Sequence, residues 1–397
     1  MKYRILSLDG GGTWALIQVK ALLDLYGPNA MGYDVLKDFD LVVANSGGSI
    51  VAAGLAANMP LSALLADFND PGWLNRIFVD LPIYKKVPQL LGLPWPKYDA
   101  AAKLQGLQEA LNQYENIGDA PLEQIPARFP KRPSGDPPQF LITSFDYDIS
   151  REIVFRSNLK SPVMSAAKPI RPTLAQAIHA SSNAPIKFFD KPATFSGRQF
   201  WDGAMAGLNN PILIGLREAL ACGVNIADIQ IRSIGTGTVI LPFSRTNSNP
   251  LVQAPVRPRY STDLNEESTC IIDDPPDEST FVAYTFLNGL IAGPPWPVPS
   301  NLVRLSPVVQ PILDSNGTWV LPRFDLQPGQ PITVDKFTEL RNLAIDAKDP
   351  QSLNLIGSFC DAWLANIVPN QPIRMNRDNL QCEIGQAFYK DGKSVWL

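Results

Sequence analysis

Histidine is almost absent from this chain of 397 residues, where His179 is the only one. Imidazole is a frequent ligand of protein-bound zinc, so a histidine-rich metal centre is excluded and no metal site is expected. A serine nucleophile still needs a base. Any catalytic triad must therefore use His179, and otherwise the base must be a residue of another type.

Charged residues are also scarce, at 18% of the chain against a typical value of about 25%. The formal net charge is −4. A protein that binds nucleic acid needs a basic surface to neutralise phosphates. The composition therefore argues against a nucleic-acid partner.

Paired cysteines and long apolar runs are missing as well. The four cysteines form no CxxC pair and are expected to be free thiols in a reducing compartment; they are Cys222, Cys270, Cys360 and Cys382.

The start, MKYRILSLDGGG, has too short an apolar run for a signal peptide. The run Ile50–Ala66 is interrupted by polar residues and proline, and predicts a buried helix. We therefore expect a cytoplasmic protein that meets lipid only peripherally.

Proline, by contrast, is abundant, with 37 residues in 397 where about 5% is usual. The prolines concentrate in residues 70–140 and 241–330. This distribution predicts a catalytic core over residues 1–240 with an irregular cap around 60–138. Proline-rich loops or a flap would follow over 241–330, and helices that pack on the core over 331–397.

A strand, a turn and a helix follow one another twice within the first sixty residues. Tyr3–Leu8 predicts a buried strand before a helix over Trp14–Tyr26, and Asp40–Ala44 predicts another before a helix over Ser49–Ala57. This alternation is typical of an α/β sheet. Further strands are predicted at 140–145 and 152–155, as a hairpin across residues 146–151, and at 199–201 and 229–234. Helices are predicted at 104–114, 173–180, 211–222, 334–346 and 351–367.

The turn Ala44-Asn45-Ser46-Gly47-Gly48 has the pattern of a nucleophile elbow. A serine in such a strained turn needs small neighbours two residues before and after it, and Ala44 and Gly48 meet this requirement. The helix that follows directs its amide groups and its dipole at the serine, which favours negative charge there. The alternative is an ordinary strand–helix turn.

Three glycines, Gly10, Gly11 and Gly12, follow the first strand. Their backbone amides can approach a ligand closely and form an oxyanion hole. The spacing to Ala15 also fits a dinucleotide fingerprint. That fingerprint needs an acidic residue after the next strand, where this chain has a turn around Ser46, so a hydrolase is favoured.

Asp202 follows a third predicted strand, in Trp201-Asp202-Gly203-Ala204. A carboxylate can act as the base for a serine when burial raises its pKa. An Asp-Gly pair alone also marks common turns.

Taken together, these segments resemble the patatin-like phospholipase family. The resemblance rests on the glycine loop, the serine elbow and the Asp-Gly-Ala segment, in the expected order over residues 1–240. Supporting segments are Ala180-Ser181-Ser182-Asn183-Ala184-Pro185, Asn209-Asn210-Pro211 and Ser233-Ile234-Gly235-Thr236-Gly237.

The resemblance implies a three-layer α/β/α sandwich around a mainly parallel sheet, with a loop-rich C-terminal extension. It implies a Ser46–Asp202 dyad without histidine, in which the amides of Gly10, Gly11 and Gly12 hold the oxyanion. The expected activity is hydrolysis of acyl esters in phospholipids or other acyl lipids. Metal and cofactor are not needed.

The sequence departs from the family pattern in two places. The family usually has a basic residue and then glycine where this chain has Trp14 and Ala15, and Ala44 replaces a glycine. The missing cation keeps a lipid-binding protein without hydrolysis open as an alternative. An acyltransferase is a second alternative, because the same acyl-enzyme can react with an acceptor other than water. His179 adjoins a supporting segment at a position that is not catalytic in the family, so a structural role is favoured over a triad.

Overall fold

The computed structural model describes most of the chain. The described residues are 2–82, 84, 95–129, 135–163, 170–245, 249–255, 277–289, 300–322, 324–327, 329–375 and 382–397.

Each of the six predicted strands lies within one residue of its predicted bounds, and the structure adds strands that were not predicted. They are β1 (Tyr3–Leu8), β2 (Leu41–Ala44), β3 (Gln139–Asp146), β4 (Arg151–Arg156), β5 (Ala193–Phe195), β6 (Arg198–Asp202), β7 (Ile229–Ile234), β8 (Thr238–Val239), β9 (Leu302–Leu305), β10 (Val308–Val309), β11 (Ile312–Leu313), β12 (Trp319–Val320), β13 (Asp325–Gln327), β14 (Gln330–Pro331), β15 (Arg374–Met375) and β16 (Cys382–Ile384).

The helices begin and end at the following residues. They are α1 (Leu16–Tyr26), α2 (Gly32–Leu36), α3 (Ser46–Ala56), α4 (Leu61–Asn69), α5 (Pro71–Ile77), α6 (Ala100–Asn112), α7 (Leu174–Ser181), α8 (Ile212–Ala221), α9 (Asp277–Asn288), α10 (Val334–Asn342), α11 (Pro350–Leu364) and α12 (Tyr389–Lys393), with 3₁₀ turns at Gly12–Ala15, Ile117–Asp119, Leu122–Arg128, Gly203–Ala206 and Ile226–Asp228.

The central sheet is mainly parallel, in the order β5-β6-β3-β2-β1-β7-β9. Strands β1, β2, β3, β7 and β9 run parallel, whereas β6 pairs antiparallel with β3. Strand β4 pairs with β3 in the predicted hairpin, joined at Asp146 and Arg151. Since Leu8 pairs with both Ala44 and Ile234, the loops after β1, β2 and β7 meet at one edge of the sheet.

Alternating side chains divide the apolar core between the two faces of the sheet. On β2, Val42 and Ala44 pack into a core that includes α1 and α3, while Leu41 and Val43 face a second core with α8 and α9. Helices cover both faces, as expected for a sheet of parallel strands. The predicted α/β/α sandwich is therefore confirmed.

The described part of the cap contains helices where an irregular segment was expected. Leu61, Leu64 and Phe68 recur at helical spacing and are buried in α4. The Asp70 carboxylate accepts hydrogen bonds from the first amides of α5, which begins at Pro71. The prolines in this region therefore mark helix starts as well as loops.

The segment 241–330 also contributes regular structure that the sequence pattern did not predict. Strand β9 pairs parallel with β7 and extends the central sheet, although it lies beyond residue 240. Helix α9 packs on α8. Much of the proline-rich tract around these elements lies outside the described residues.

No helix in the described part of the chain has both the length and the apolar character to cross a membrane.

Candidate active site

Ser46 lies in a strained turn between β2 and α3. Its φ is 47°, a left-handed conformation that is rare for residues other than glycine. The next two residues leave no space for a side chain: a Cβ on Gly47 would lie 2.5 Å from the Gly12 carbonyl oxygen, and one on Gly48 would lie 2.5 Å from that of Asp9. This geometry is that of a nucleophile elbow.

Asp202, at the end of β6, lies near Ser46, which stands 156 positions earlier in the sequence. The Ser46 side chain helps to lower the pKa of the Asp202 carboxyl group. The same carboxyl accepts hydrogen bonds from the Asn45 Nδ2 amide (3.1 Å) and from the Ala204 backbone amide (2.9 Å). The elbow and Asp202 are therefore adjacent, and two donors hold the carboxyl group.

Burial raises the pKa of Asp202 above its usual value. Hydrogen bonds from Ala204 and Asn45, the nearby Ser46 side chain and the charge of Lys103 all lower the pKa of Asp202. The raised pKa makes this carboxylate a stronger base than an exposed one, and the donors keep the ionised form accessible.

Polar side chains around the elbow fix its orientation. The Ser46 amide donates to Ser181 Oγ (2.9 Å), and Ser49 Oγ donates to the Ser46 carbonyl (2.6 Å). Thr143 Oγ1 donates to Asn45 Oδ1 (2.7 Å), which orients the Asn45 amide toward Asp202. Ser181 lies in a predicted supporting segment, whereas nothing in the sequence singled out Thr143.

The glycine loop lies beside the elbow. The Gly10 amide donates to the Asn209 carbonyl (2.8 Å), so it is engaged within the fold instead of free for an oxyanion. The Gly10 carbonyl accepts from Thr236 Oγ1 (2.8 Å). For the amides of Gly11 and Gly12, no hydrogen-bond acceptor is found among the described residues. Of the three expected oxyanion donors, these two are available.

His179 is buried in α7, and among the described residues its Nδ1 atom has no hydrogen-bond partner. Burial lowers its pKa, and the charge of Lys103 lowers it further. The groups that hydrogen-bond the Asp202 carboxyl do not include His179. The geometry therefore favours the structural role over the triad.

Lys103 is a buried residue near the dyad that sequence reasoning missed. Its ammonium group, fully buried on α6, donates to the Ser182 carbonyl and lies 4.2 Å from the centroid of the Phe189 ring. Burial lowers its pKa and the charge of Asp202 raises it. No local pattern pointed to Lys103, because the predicted helix began at residue 104 and Lys103 matched no motif.

A cavity of about 770 Å³ adjoins the glycine loop. Gly10, Gly11 and Trp14 line it together with Lys97 and Arg341. Trp14, at the position where the family has a cation, is 9% exposed and packs edge-on against Phe359. The cations at this cavity therefore come from other parts of the chain.

Comparison with known proteins agrees with this geometry. Residues 6–216 match the model of the patatin-like phospholipase family. A cGAMP-activated phospholipase of Pseudomonas aeruginosa (strain BWHPSA011 / Pa011) is 28% identical over 243 residues, which are 60% of this chain and 63% of that protein. The chain thus matches less than two thirds of the length of this relative.

Two solved structures are more distant. VipD from Legionella pneumophila is 11% identical, with a TM-score of 0.35, over 90% of this chain and 67% of that one. The type III effector ExoU from Pseudomonas aeruginosa is 13% identical, with a TM-score of 0.26, over 90% of this chain and 53% of that one.

The family model covers more than half of the chain, and its match includes the glycine loop, the serine elbow and the strands that support them. The chain belongs to the patatin-like phospholipase family.

Proposed function

We propose that this protein is a lipid acyl hydrolase with a Ser46–Asp202 dyad. Ser46 Oγ attacks the carbonyl carbon of an acyl ester while its proton moves to Asp202. The ester C–O bond then breaks, the alcohol leaves with that proton, and water hydrolyses the acyl-serine to a free fatty acid. The observation that carries this proposal is the buried Asp202 carboxyl group, tied through Asn45 to the strained elbow at Ser46.

The amides of Gly11 and Gly12 are the proposed oxyanion donors. The Gly12 carbonyl and amide lie against Gly47, so the loop and the elbow are in van der Waals contact. Backbone donors fixed in this way need no reorganisation as charge develops on the carbonyl oxygen, which is why such groups lower the barrier.

Contact with a lipid surface is part of the proposal. Ile186, at the large cavity, is 43% exposed and has a φ of 66°. A β-branched residue rarely adopts this conformation, and strained residues cluster at functional sites. We expect Ile186→Asp to weaken sedimentation with phosphatidylglycerol vesicles while hydrolysis of a soluble aryl ester continues. Unchanged sedimentation would contradict this contact.

Activation by a cyclic dinucleotide is a second proposal, because the relative from Pseudomonas aeruginosa is cGAMP-activated by name. The cavity beside the glycine loop carries Lys97, Lys187 and Arg341, which suit a ligand with phosphate groups. We expect added cGAMP to raise phospholipid hydrolysis and Arg341→Gln to reduce that rise. Equal rates with and without the nucleotide would contradict it.

The activity itself is tested by measuring fatty acids released from phosphatidylcholine and phosphatidylglycerol vesicles. Ser46→Ala should abolish release, while the matched control Ser394→Ala, at an exposed position just after α12, should keep it. Vesicle binding without release would indicate a lipid-binding protein instead. Transfer of the acyl group to an added alcohol in preference to water would indicate an acyltransferase.

A further inference from the structure

A buried ion pair lies directly before the glycine loop. Arg304 Nη2 and Asp9 Oδ2 are 2.6 Å apart, and each side chain is only 2% exposed. Asp9 is the residue between β1 and Gly10. Among the described residues its second oxygen, Oδ1, has no hydrogen-bond partner, so Arg304 is the group that neutralises this carboxylate.

Arg304 is itself held by residues from separate parts of the chain. Its Nη1 donates to Ser233 Oγ (2.7 Å) and its Nη2 also donates to Gln371 Oε1 (3.3 Å). The Arg304 backbone amide donates to Gln386 Oε1 (3.4 Å), and its carbonyl accepts from Asn370. The guanidinium is therefore fixed in place by β7 and by the C-terminal segment.

The Asp9 backbone is fixed from the opposite side. Its amide donates to the Ile234 carbonyl (3.2 Å), and its carbonyl accepts from Gln18 Nε2 (2.9 Å). With the carboxylate bound to Arg304, both the backbone and the side chain of Asp9 are constrained. The backbone of the next residue, Gly10, is hydrogen-bonded to Asn209 and Thr236. The backbone that leads into Gly11 and Gly12 therefore has little conformational freedom.

A buried ion pair is a poor source of stability, because desolvation of the two charges can exceed their attraction. Burial raises the pKa of Asp9, and the charge and hydrogen bond of Arg304 lower it. Burying the Asp9–Arg304 pair therefore costs free energy of folding, yet the pair lies beside the candidate oxyanion donors. A role in positioning accounts for both facts.

We propose that Arg304 is a positioning residue that, through the Asp9 carboxylate, aims the amides of Gly11 and Gly12 at the reacting carbonyl. Arg304 lies on β9, beyond the residues 6–216 that match the family model, so this segment would complete the catalytic core. The inference rests on the proposed hydrolase function.

The test is steady-state hydrolysis of a soluble aryl ester by full-length variants. Misplacement of catalytic groups by about 1 Å can cost a hundredfold. We expect Arg304→Met to lower kcat about ten- to a hundredfold with little change in KM. The double variant of Arg304→Met with Asp9→Asn should lose no more than Arg304→Met alone, since both changes remove one contact.

Arg232 provides a matched control on the neighbouring strand β7. It is also a buried arginine, but it donates to backbone carbonyls of Trp396, Ile231 and Ser300 and not to the glycine loop. Arg232→Met should reduce thermal stability and keep kcat per folded molecule. An equal loss of kcat in Arg232→Met and Arg304→Met would overturn the proposal.

Arg304→Lys keeps the test valid if Arg304→Met does not fold. It retains a cation but loses the planar fork, so we expect a loss in kcat of about three- to tenfold. A folded Arg304→Lys or Arg304→Met with wild-type kcat would overturn the positioning role. If instead the wild type shows no turnover that depends on Ser46, the proposed function itself fails.

Discussion

Replacing Asn45 with alanine tests how the Asp202 carboxylate is kept ionised inside the protein. The Asn45 amide donates to Asp202 Oδ1 at 3.1 Å, and Thr143 orients that amide from behind. A hydrogen bond to a charged group contributes about 1.5–3 kcal/mol. Its loss destabilises the carboxylate and leaves the protonated form unaffected, so the pKa of Asp202 must rise further.

The base must be ionised to accept the Ser46 proton. Since about 1.4 kcal/mol corresponds to a factor of ten, we expect Asn45→Ala to lower kcat/KM about ten- to a hundredfold on the acidic side of the pH profile. The loss should shrink as pH rises and the carboxylate ionises. The assay is kcat/KM for a soluble aryl ester over a range of pH, which reports ionisations of the free enzyme.

Asn69→Ala is the matched control, because Asn69 is exposed at the end of α4 and, within the described residues, its side chain donates only to the Leu65 carbonyl. Its pH profile should equal that of the wild type. The acid limb of the profile is the pH range in which kcat/KM falls as Asp202 becomes protonated. If this limb does not move in Asn45→Ala, the argument is refuted. An equal loss at every pH would refute it too, since it would show that Asn45 affects geometry alone.

Three further predictions follow from packing and charge around the dyad. Gly47→Ala places a Cβ 2.5 Å from the Gly12 carbonyl oxygen, so calorimetry should show about 1–3 kcal/mol lower stability together with lost turnover; a stable, active variant would contradict the close contact. His179→Gln should keep kcat within about threefold and leave the pH profile unchanged, because this buried histidine is not the base; loss of the profile's acid limb would restore the triad. Lys103→Met removes a cation that lowers the pKa of Asp202, so the acid limb of kcat/KM should move to higher pH; a shift to lower pH would contradict the sign.

Most strands and helices within residues 1–240 could be predicted from the sequence, because they carry strong local signals. Apolar strands followed by glycine or serine turns and small-residue helices indicated β1, β2 and α3, and the hairpin of β3 with β4 followed from two adjacent β-rich runs. Helix α1 begins at Leu16, two residues later than predicted, because Gly12–Ala15 forms a 3₁₀ turn.

Later elements were missed because their stability comes from tertiary contacts. Strand β9 is a four-residue segment, LVRL, which is too short to be recognised as a strand among the surrounding prolines. It becomes a strand by pairing with β7. Its arginine looks unsuitable for a buried strand until Asp9 is placed beside it. Propensity is a weak guide where such long-range pairs decide the structure.

The residues of the site also divide into those that a local motif identifies and those that only the folded chain brings together. Ser46, Asp202 and the glycine loop lie in motifs, so local pattern identified them. The residues that support them lie on other elements and act by contact: Thr143 on β3, Lys103 on α6 and Arg304 on β9. The engagement of the Gly10 amide by Asn209 also depends on the folded chain and could not be read from the loop alone.

The central claim is that Ser46 is the nucleophile and Asp202 its base. The most direct measurement is to treat the protein with a fluorophosphonate and locate the adduct by peptide mass spectrometry. The account predicts one adduct on Ser46, none in Ser46→Ala, and slow labelling in folded Asp202→Asn. An adduct that persists in Ser46→Ala, or labelling of Asp202→Asn at the wild-type rate, would contradict it.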